Sequence, residues 1–444
     1  MTLQQHVSRR GFLRATAATG AAAGLSTLVP GALSHLGTAE AADPRVYSGK
    51  IVVVGVANST PGRGWNQLFS AYQKVRPNIK IDYLDFPSER FVALFTAAQA
   101  SGEQIDILGL NGQDLRRYAL AKTLLPLDHL PNVERFQKVA LNTYTIGGHL
   151  WALPSGSMGG FPIFYNNALL RKAGVAPPRT YADLLHIRDV LAKHGASVFT
   201  HEGKNIYLWP VWFFTTYAQV TGNKAMERTV AILSGKGKFT DPDVVQALDL
   251  IFKFSKDKLF TPDVLSLDVP DCDAEFLTGK AAFRMHWDGV ISQVHDQRPP
   301  NMDLKVMLMP HLTSNGARAQ FPGGTGSAMG IYAKIAPERL SVAQDLLNFL
   351  TSDANDTYLI QDGKATLGTN LHSQGSKDPV ALAESKLLPN MTIYLDWAWP
   401  PEITRAFQEG IQAGVSGNLS AEQVAKDIQS VFAGLLSSGY KFQH

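Results

Sequence analysis

The sequence predicts an α/β protein built from more than one domain, and three observations carry that reading. The chain has 444 residues, beyond the size at which a single core keeps growing. Between residues 50 and 110, short β-branched runs alternate with stretches of helical periodicity. A stretch rich in glycine, proline and serine at 147–160 then separates this region from one of different texture. Apolar residues make up 45% of the chain and charged residues 18%, a balance that supports a core and excludes wholesale disorder.

The elements follow in order. Lys50 to Val56 (KIVVVGV) predicts a buried strand, bounded by Gly49 and by the turn residues Asn58-Ser59-Thr60-Pro61-Gly62. Trp65, Leu68, Phe69 and Tyr72 recur at the i, i+3, i+4, i+7 spacing of one helix face, which predicts an amphipathic helix running to Val75. Lys80 to Leu84 alternates as a second strand. Glu89 to Ala100 reads as a second helix, stopped by Ser101-Gly102, and Ile105 to Leu110 as a third strand. Alternation of this kind predicts a parallel sheet with helices on both faces.

A second region opens at Gly147-Gly148-His149-Leu150-Trp151-Ala152-Leu153-Pro154, an apolar strand flanked by glycines. The small residues from Pro154 to Gly160 suit a crossover between lobes, where backbones bend or approach closely. From Phe161 the chain reads as mostly helical, with an aromatic middle at Trp209, Trp212, Phe213, Phe214 and Tyr217. Leu304 to Met309 alternates as a strand, Phe321 to Ser327 (FPGGTGS) reads as a loop, and Ser341 to Thr351 as a helix. Two helices, split at Ser416-Gly417-Asn418, fill Glu402 to Leu436.

The N-terminus carries Ser8-Arg9-Arg10-Gly11-Phe12-Leu13-Arg14, the pattern of a twin-arginine export signal, before an apolar stretch from Ala15 to Val29. Pro30 breaks that stretch, and Ala39-Glu40-Ala41 offers the small residues a signal peptidase reads. Residues 1–41 are therefore predicted as a signal peptide; the stretch is too short and too rich in Ala and Gly for a convincing membrane anchor. Formal net charge is +3, from 41 Lys+Arg and 38 Asp+Glu, and without residues 1–41 the balance is 38 to 37. There is no Lys/Arg run of the kind that nucleic acid or anionic lipid requires, so neither is predicted as a partner. Cys272 is the only cysteine, which rules out an internal disulfide, and its position far from the signal provides no lipid attachment. It reads as a small buried apolar residue, and the protein as free in a periplasm.

Six segments resemble one family, the extracellular solute-binding proteins of ABC importers, in particular the carbohydrate-binding group related to maltose-binding protein. They are Ala100 to Ile107 (ASGEQIDI), Tyr118 to Asp128 (YALAKTLLPLD), and Gly148 to Pro154 followed by Tyr165 to Gly174 (YNNALLRKAG). Pro178 to Leu185 (PRTYADLL), Phe276 to Gly289 (FLTGKAAFRMHWDG) and Gly417 to Val424 (GNLSAEQV) complete them. The chain departs from the family pattern at Ile105, where a proline is usual, at Lys122, where a glycine is usual, and at Tyr181, which replaces a tryptophan. The resemblance implies the type II periplasmic binding protein fold: two α/β lobes crossed three times by the chain, with a hinge between them and a ligand in the cleft. The implied division gives 42–155 and 310–375 to the N-terminal lobe, and 156–309 and 376–444 to the C-terminal lobe. Its implied function is capture of a mono- or oligosaccharide and delivery to the transmembrane permease subunits of the importer. The protein is expected to act as a monomer without a cofactor.

A sugar presents hydroxyls, which pair with amides and carboxylates, and C–H faces, which stack on aromatic rings. Asn111 and Gln113 directly follow the third strand, where ligands of open α/β sheets sit, although Asn-Gly is also a common turn pair. Asn58 occupies the matching loop after the first strand. The resemblance makes Trp287 the stacking tryptophan of the GKAAF segment, against the alternative of a core anchor, with Asp288 beside it as a hydroxyl acceptor. It also places a stacking aromatic near Trp397 and Trp399; alternation would put both on one face, and Trp397 is preferred for the cleft. Gly324 resembles a glycine step that lets backbone approach the ligand. Trp212 shares a helix face with Trp209, a stripe that serves a core at least as readily as a site.

Catalytic patterns are missing from the sequence. Ser157 lies in Ser-Gly-Ser-Met-Gly, out of register for a nucleophile elbow, and Gly324-Thr325-Gly326 lacks the further glycine of a dinucleotide loop. The 12 histidines form no H-x-x-x-H pair, so no metal is predicted. Binding of another solute (a polyamine, ferric ion or phosphorylated polyol) and a secreted carbohydrate-active enzyme remain the alternatives, the latter because a pair of glycosidase carboxylates cannot be recognised by counting.

Overall fold

The computed structural model describes residues 43–57, 63–87, 90–110, 112–287, 297–314, 317, 319–362 and 367–442. Its strands are β1 Gly49–Ala57, β2 Ile79–Pro87, β3 Ile107–Leu110, β4 Thr145–Ile146, β5 His149–Leu150, β6 Leu153–Gly160 and β7 Ile163–Asn166. β8 Ser197–Thr200, β9 Ala281–Met285, β10 Leu304–Met307, β11 Phe321–Ile331, β12 Leu367–Gly368 and β13 Met391–Ile393 follow. They form two main sheets and the small β4–β5 hairpin. The first sheet runs β12-β6-β11-β3-β1-β2, with β13 also on β11, and the second runs β10-β7-β9-β8. The predicted signal segment falls outside the described residues.

The elements predicted for residues 50–110 form where their patterns place them. β1 is parallel to both β2 and β3, and Ile51 to Val54 are all buried, because helices cover both faces of the strand. The helix Arg63–Val75 buries Leu68, Phe69 and Tyr72 along its predicted face. The two sheets have separate cores. The first is built around β1, β3 and β11, and the second, rich in aromatic rings, around β8, β9 and the helices Pro210–Val220, Pro242–Lys256, Pro401–Val415 and Ala421–Ser437.

The largest correction concerns the glycine-rich stretches. Phe321 to Ser327, expected as a loop, is the first part of the 11-residue strand β11, and 154–160 is strand β6, antiparallel to it. The reason is crowding. A Cβ on Gly323 would lie 2.5 Å from Met391 Sδ and 2.6 Å from Gly159 O, and one on Gly160 would collide with Pro322 O and Gly323 Cα. These glycines allow β6, β11 and β13 to pack closely; they are not turn residues.

Strand pairing also moves the expected lobe boundaries. Residues 156–160 belong to the first sheet through β6, so the chain passes to the second at Phe161 rather than at 155/156. At the return, Pro310 O accepts from Gln219 Nε2 at 3.0 Å and Leu312 N donates to Gln219 Oε1 at 2.8 Å. Residues 310–312 are thereby held to the second body, and β11 begins only at Phe321. Within the stretch assigned to the C-terminal lobe, β13 pairs with β11 and so rejoins the first sheet before the final two helices.

Two departures from the family pattern have visible consequences. Lys122, in the usual place of a glycine, adopts a left-handed φ of 53°, a conformation that side chains with a Cβ disfavour. Tyr181, in the place of a tryptophan, donates its hydroxyl to Asp257 at 2.7 Å and lies under Lys253 Nζ, 3.9 Å from the ring centre. The helix Tyr181–Ala192 starts at a Thr180–Asp183 capping box. Among the described residues, no helix is long and apolar enough to cross a membrane.

Candidate functional site

β8 and β9 are parallel, with Thr200 opposite Arg284, so the residues that follow each strand emerge side by side at the same sheet edge. His201 and Glu202 follow β8; His286 and Trp287 follow β9. Carboxyl ends of parallel strands are where α/β folds hold ligands. His201 is 1% exposed, Glu202 and His286 0%, and Arg284 0%. A charged cluster this deep must be internally paired. Arg284 Nε donates to Glu202 Oε1 at 2.9 Å, its Nη2 also bonds Glu202, and its Nη1 bonds Asp273 of the helix Val269–Thr278. Thr200 and Thr261 hold Glu275 of the same helix.

Pairing is incomplete on the side away from Arg284. His201 Nδ1 and His286 Nε2 each lie 3.4 Å from a Glu202 oxygen, but neither contact has hydrogen-bond direction. Glu202 Oε2, both ring nitrogens of His201 and of His286, and Trp287 Nε1 are buried without a hydrogen-bond partner. Buried polar atoms are almost always satisfied, so several orphans gathered in one place single this cluster out as a candidate site. Burial raises the Glu202 pKa, but the guanidinium of Arg284 and then His286 oppose it, and the net position is well below the usual carboxylate range. Burial first, then Arg284, holds the His286 pKa down to about 3, although Glu202 acts in the opposite direction. At neutral pH the cluster is thus a carboxylate neutralised by a guanidinium, beside an uncharged His286 ring.

The predicted residues fall in different places. Trp287 is half-buried, packs against the second core, and stands 4.7 Å from the His286 ring. Trp397 and Gly324 come together with a third residue. A Cβ on Gly324 would lie 2.6 Å from the Trp397 ring, and one on Gly112, at the start of the helix Gly112–Leu120, 2.8 Å from it. A line of rings connects the two places: His286 to Phe161 at 6.0 Å, Phe161 to Tyr394 at 6.1 Å, and Tyr394 to Trp397 at 4.9 Å. Phe161 is also the residue at which the chain first passes between the sheets.

Trp212 and Trp399 both belong to the second core, although the Nε1 of each is, like that of Trp287, buried without a partner. Trp212 is fully buried among Phe199, Phe254 and Phe260, so the face it shares with Trp209 is core. Trp399 is 5% exposed and stacks on Phe407 with ring centres 4.2 Å apart. The alternation argument failed because Leu395–Trp397 is a short 3₁₀ helix, not extended chain, and it turns the two tryptophans to different surroundings. Gln113 lies in the first turn of the helix Gly112–Leu120. Asn58, Asn111 and Asp288 lie outside the described residues. Sequence reasoning missed His201, Glu202, Arg284 and His286. Their available signal was polarity in the wrong place: Arg284 inside the apolar run AAFRM, and His-Glu directly after SVFT.

Residues 57–357, about two-thirds of the chain, match the family described as bacterial extracellular solute-binding protein. An uncharacterised ABC transporter extracellular-binding protein of Pyrococcus horikoshii is 22% identical over 195 residues, covering 43% of this chain and 46% of its own. A second such protein from the same organism is 23% identical over 258 residues, covering 55% and 57%. The chain thus spans about half the length of the curated relatives it matches. Among solved structures, a chitin oligosaccharide binding protein superposes with a TM-score of 0.78 at 17% identity, covering 87% of this chain and 98% of its own. A maltose-bound protein of T. maritima gives 0.72 at 22% identity, covering 87% and 99%. These structures share the two-lobed α/β fold. With its two sheets, its glycine-lined crossing and a family match over most of its length, the chain belongs to the bacterial extracellular solute-binding proteins.

Proposed function

We propose that this protein is the substrate-binding component of an ABC importer, which captures a mono- or oligosaccharide between its lobes and delivers it to the membrane permease. The observation that carries the reading is the group of buried, unpartnered polar atoms of His201, Glu202, His286 and Trp287 at the ends of β8 and β9. Sugar hydroxyls both donate and accept, so one hydroxyl-rich ligand can satisfy a carboxylate oxygen and neutral ring nitrogens together. The half-buried Trp287 ring offers the apolar face that a pyranose needs. The names of the solved neighbours, which cite chitin oligosaccharide and maltose, support the same solute class. Asn58, Asn111, Gln113 and Asp288 belong to the proposed site by their sequence positions, with Gly324 and Trp397 at the crossing between the lobes. Export by the twin-arginine route to a periplasm, and action as a monomer, complete the proposal.

Other solutes fit the floor less well. A polyamine needs free carboxylates, and Glu202 is already met by Arg284. A phosphorylated polyol needs a free cation, and Arg284 is committed to Glu202 and Asp273. Ferric ion needs a ligand set, and among the described residues no group of three or more His, Cys, Asp or Glu is placed to hold a metal. A thermal-shift screen against a sugar panel, with Trp287→Ala alongside, tests the proposal. A bound sugar raises the melting temperature by linkage and is recovered unchanged, and Trp287→Ala weakens binding by about 1–3 kcal/mol, the scale of burying an aromatic face. Turnover of the sugar would point instead to an enzyme. No response to any sugar would sink the solute class.

A further inference from the structure

Arg284 lies in the middle of β9, where every residue is buried and an apolar side chain would complete the strand. A buried arginine is tolerated only with its charge met, and here it is met twice, by Glu202 and by Asp273. The planar fork of arginine allows it to hold two carboxylates at once. We propose that Arg284 is a positioning residue of the ligand site: clamped between Glu202 and Asp273, it fixes the Glu202 carboxylate beside the His286 ring, so that the floor presents one fixed set of donors and acceptors to an uncharged, hydroxyl-bearing ligand. The proposal deepens the sugar-binding reading and rests on it for the ligand.

The surrounding groups are consistent with this role. Beside Glu202 on its own strand end is His201; β9 contributes Arg284 and His286; the helix Val269–Thr278 contributes Cys272, Asp273 and Glu275. β7, the other neighbour of β9, places Phe164 opposite Arg284 and adds no charge at that position. In the helix Asn167–Ala173, Arg171 is bound to Asp303. Arg284 is therefore the single cation that Glu202 and His286 share among the described residues. Without it, the nearest sources of positive charge for Glu202 would be protons on His286 and His201, each 3.4 Å from one of its oxygens, and of these only His286 stands at the end of the strand that carries Arg284. A proton on His286 would turn its imidazole into a double donor and occupy the carboxylate, and the floor would then change character with pH.

Two measurements test this. The first is an NMR titration of the histidine rings of the unliganded protein between about pH 5 and 8, a window around the ordinary histidine pKa. His286 remains unprotonated in the wild type, titrates within the window in Arg284→Gln, and is silent again in Arg284→Lys, which retains a cation. The second is calorimetry with maltose, raffinose and a chitin oligosaccharide. Wild-type affinity for a sugar that binds stays within about threefold over the window, whereas Arg284→Gln binds about tenfold or more weakly at pH 5 than at pH 8, one pKa unit of linkage or more. A wild-type His286 that titrates, or an Arg284→Gln protein as flat as the wild type in both measurements, overturns the proposal. A silent His286 together with no binding of any sugar sinks the solute reading instead, and leaves the effect of Arg284 on the ring in place. If Arg284→Gln does not fold, the double variant Glu202→Gln/Arg284→Gln, neutral at both positions, keeps His286 silent; a titrating ring there also overturns the proposal.

Discussion

Two buried regions of this protein are built on opposite rules. At the ends of β8 and β9, bulky polar side chains are brought together and several of their atoms lack partners. Where β6, β11 and β13 meet, side chains are few: glycines line the strands, Met391 lies against Gly323, and the Trp397 ring lies against Gly112 and Gly324. Burial alone does not distinguish the two, since Thr325 at the crossing and His201 at the floor are each 1% exposed. What differs is how much each region leaves unfinished. The floor gathers unpartnered atoms from four neighbouring side chains, while at the crossing Thr325 Oγ1 and Asp396 Oδ1 are so placed and the rest is filled by backbone, the Met391 side chain and one indole. A solute receptor needs both kinds of region: a place that waits for a ligand, and a joint that remains well packed as the lobes move.

The comparison is most easily broken at the floor. Glu202→Ala leaves the buried guanidinium of Arg284 with Asp273 alone, and removing one partner of a buried ion pair costs about 3–5 kcal/mol. Urea unfolding at neutral pH measures this. A loss below about 1 kcal/mol, the range of exposed ion pairs, would mean that the floor's charges carry no such burden.

The crossing gives a smaller and differently shaped effect. Gly324→Ala introduces a methyl 2.6 Å from the Trp397 ring, and overpacking of this kind costs about 1–3 kcal/mol. The cost should largely vanish in a Trp397→Ala background. A double-mutant cycle would then show a coupling of about 1 kcal/mol or more between two residues 73 positions apart in sequence. Additive effects would mean that the ring gives way freely and that the packing at the crossing is looser than the contact distance implies.

The same contrast explains what could be read from the sequence. β1 and the helix Arg63–Val75 were legible because β-branched runs and i, i+3, i+4 spacing are written by side chains. β6 and β11 were illegible as strands because glycine leaves no alternation to read, and their need for glycine comes from Met391 and the facing strand, far away in sequence. The floor was hidden for another reason. His201-Glu202 and Arg284-Met285-His286 are about eighty residues apart, and only the β8–β9 register makes them one cluster. The placing of Trp397 and Trp399 on one face misled because an alternation rule was applied to a turn of 3₁₀ helix. Local chemistry was readable wherever side chains declared it, and lost wherever tertiary contact assigned the role.

Acid and base set the two regions apart again, with the smallest expected effect. Asp396, next to Trp397, has its carboxyl pushed up from 3.8 to about 7 by burial, against backbone N–H groups that favour the charge, and its Oδ1 has no partner. His286 is displaced the other way, from 6.5 to about 3. For Asp396 the folded state binds a proton that the unfolded chain has released, so its contribution is favourable at low pH and is lost as pH rises from 3.8 through about 7. For His286 the unfolded chain binds the proton first, so stability is lost as pH falls from 6.5 toward about 3. The two slopes oppose each other between these limits and flatten the wild-type profile. Asp396→Asn removes one of them. It should stabilise the protein by about 1 kcal/mol at pH 8, the scale of a buried group left unsatisfied, and by little or nothing near pH 4, where the folded aspartate is protonated and bears no buried charge. Urea unfolding at both pH values reads the difference, and the variant's stability falls more steeply into acid than the wild type's. An equal gain at both pH values would show that the substitution acts through packing against Trp397, and the crossing would then be as indifferent to charge as its glycines are.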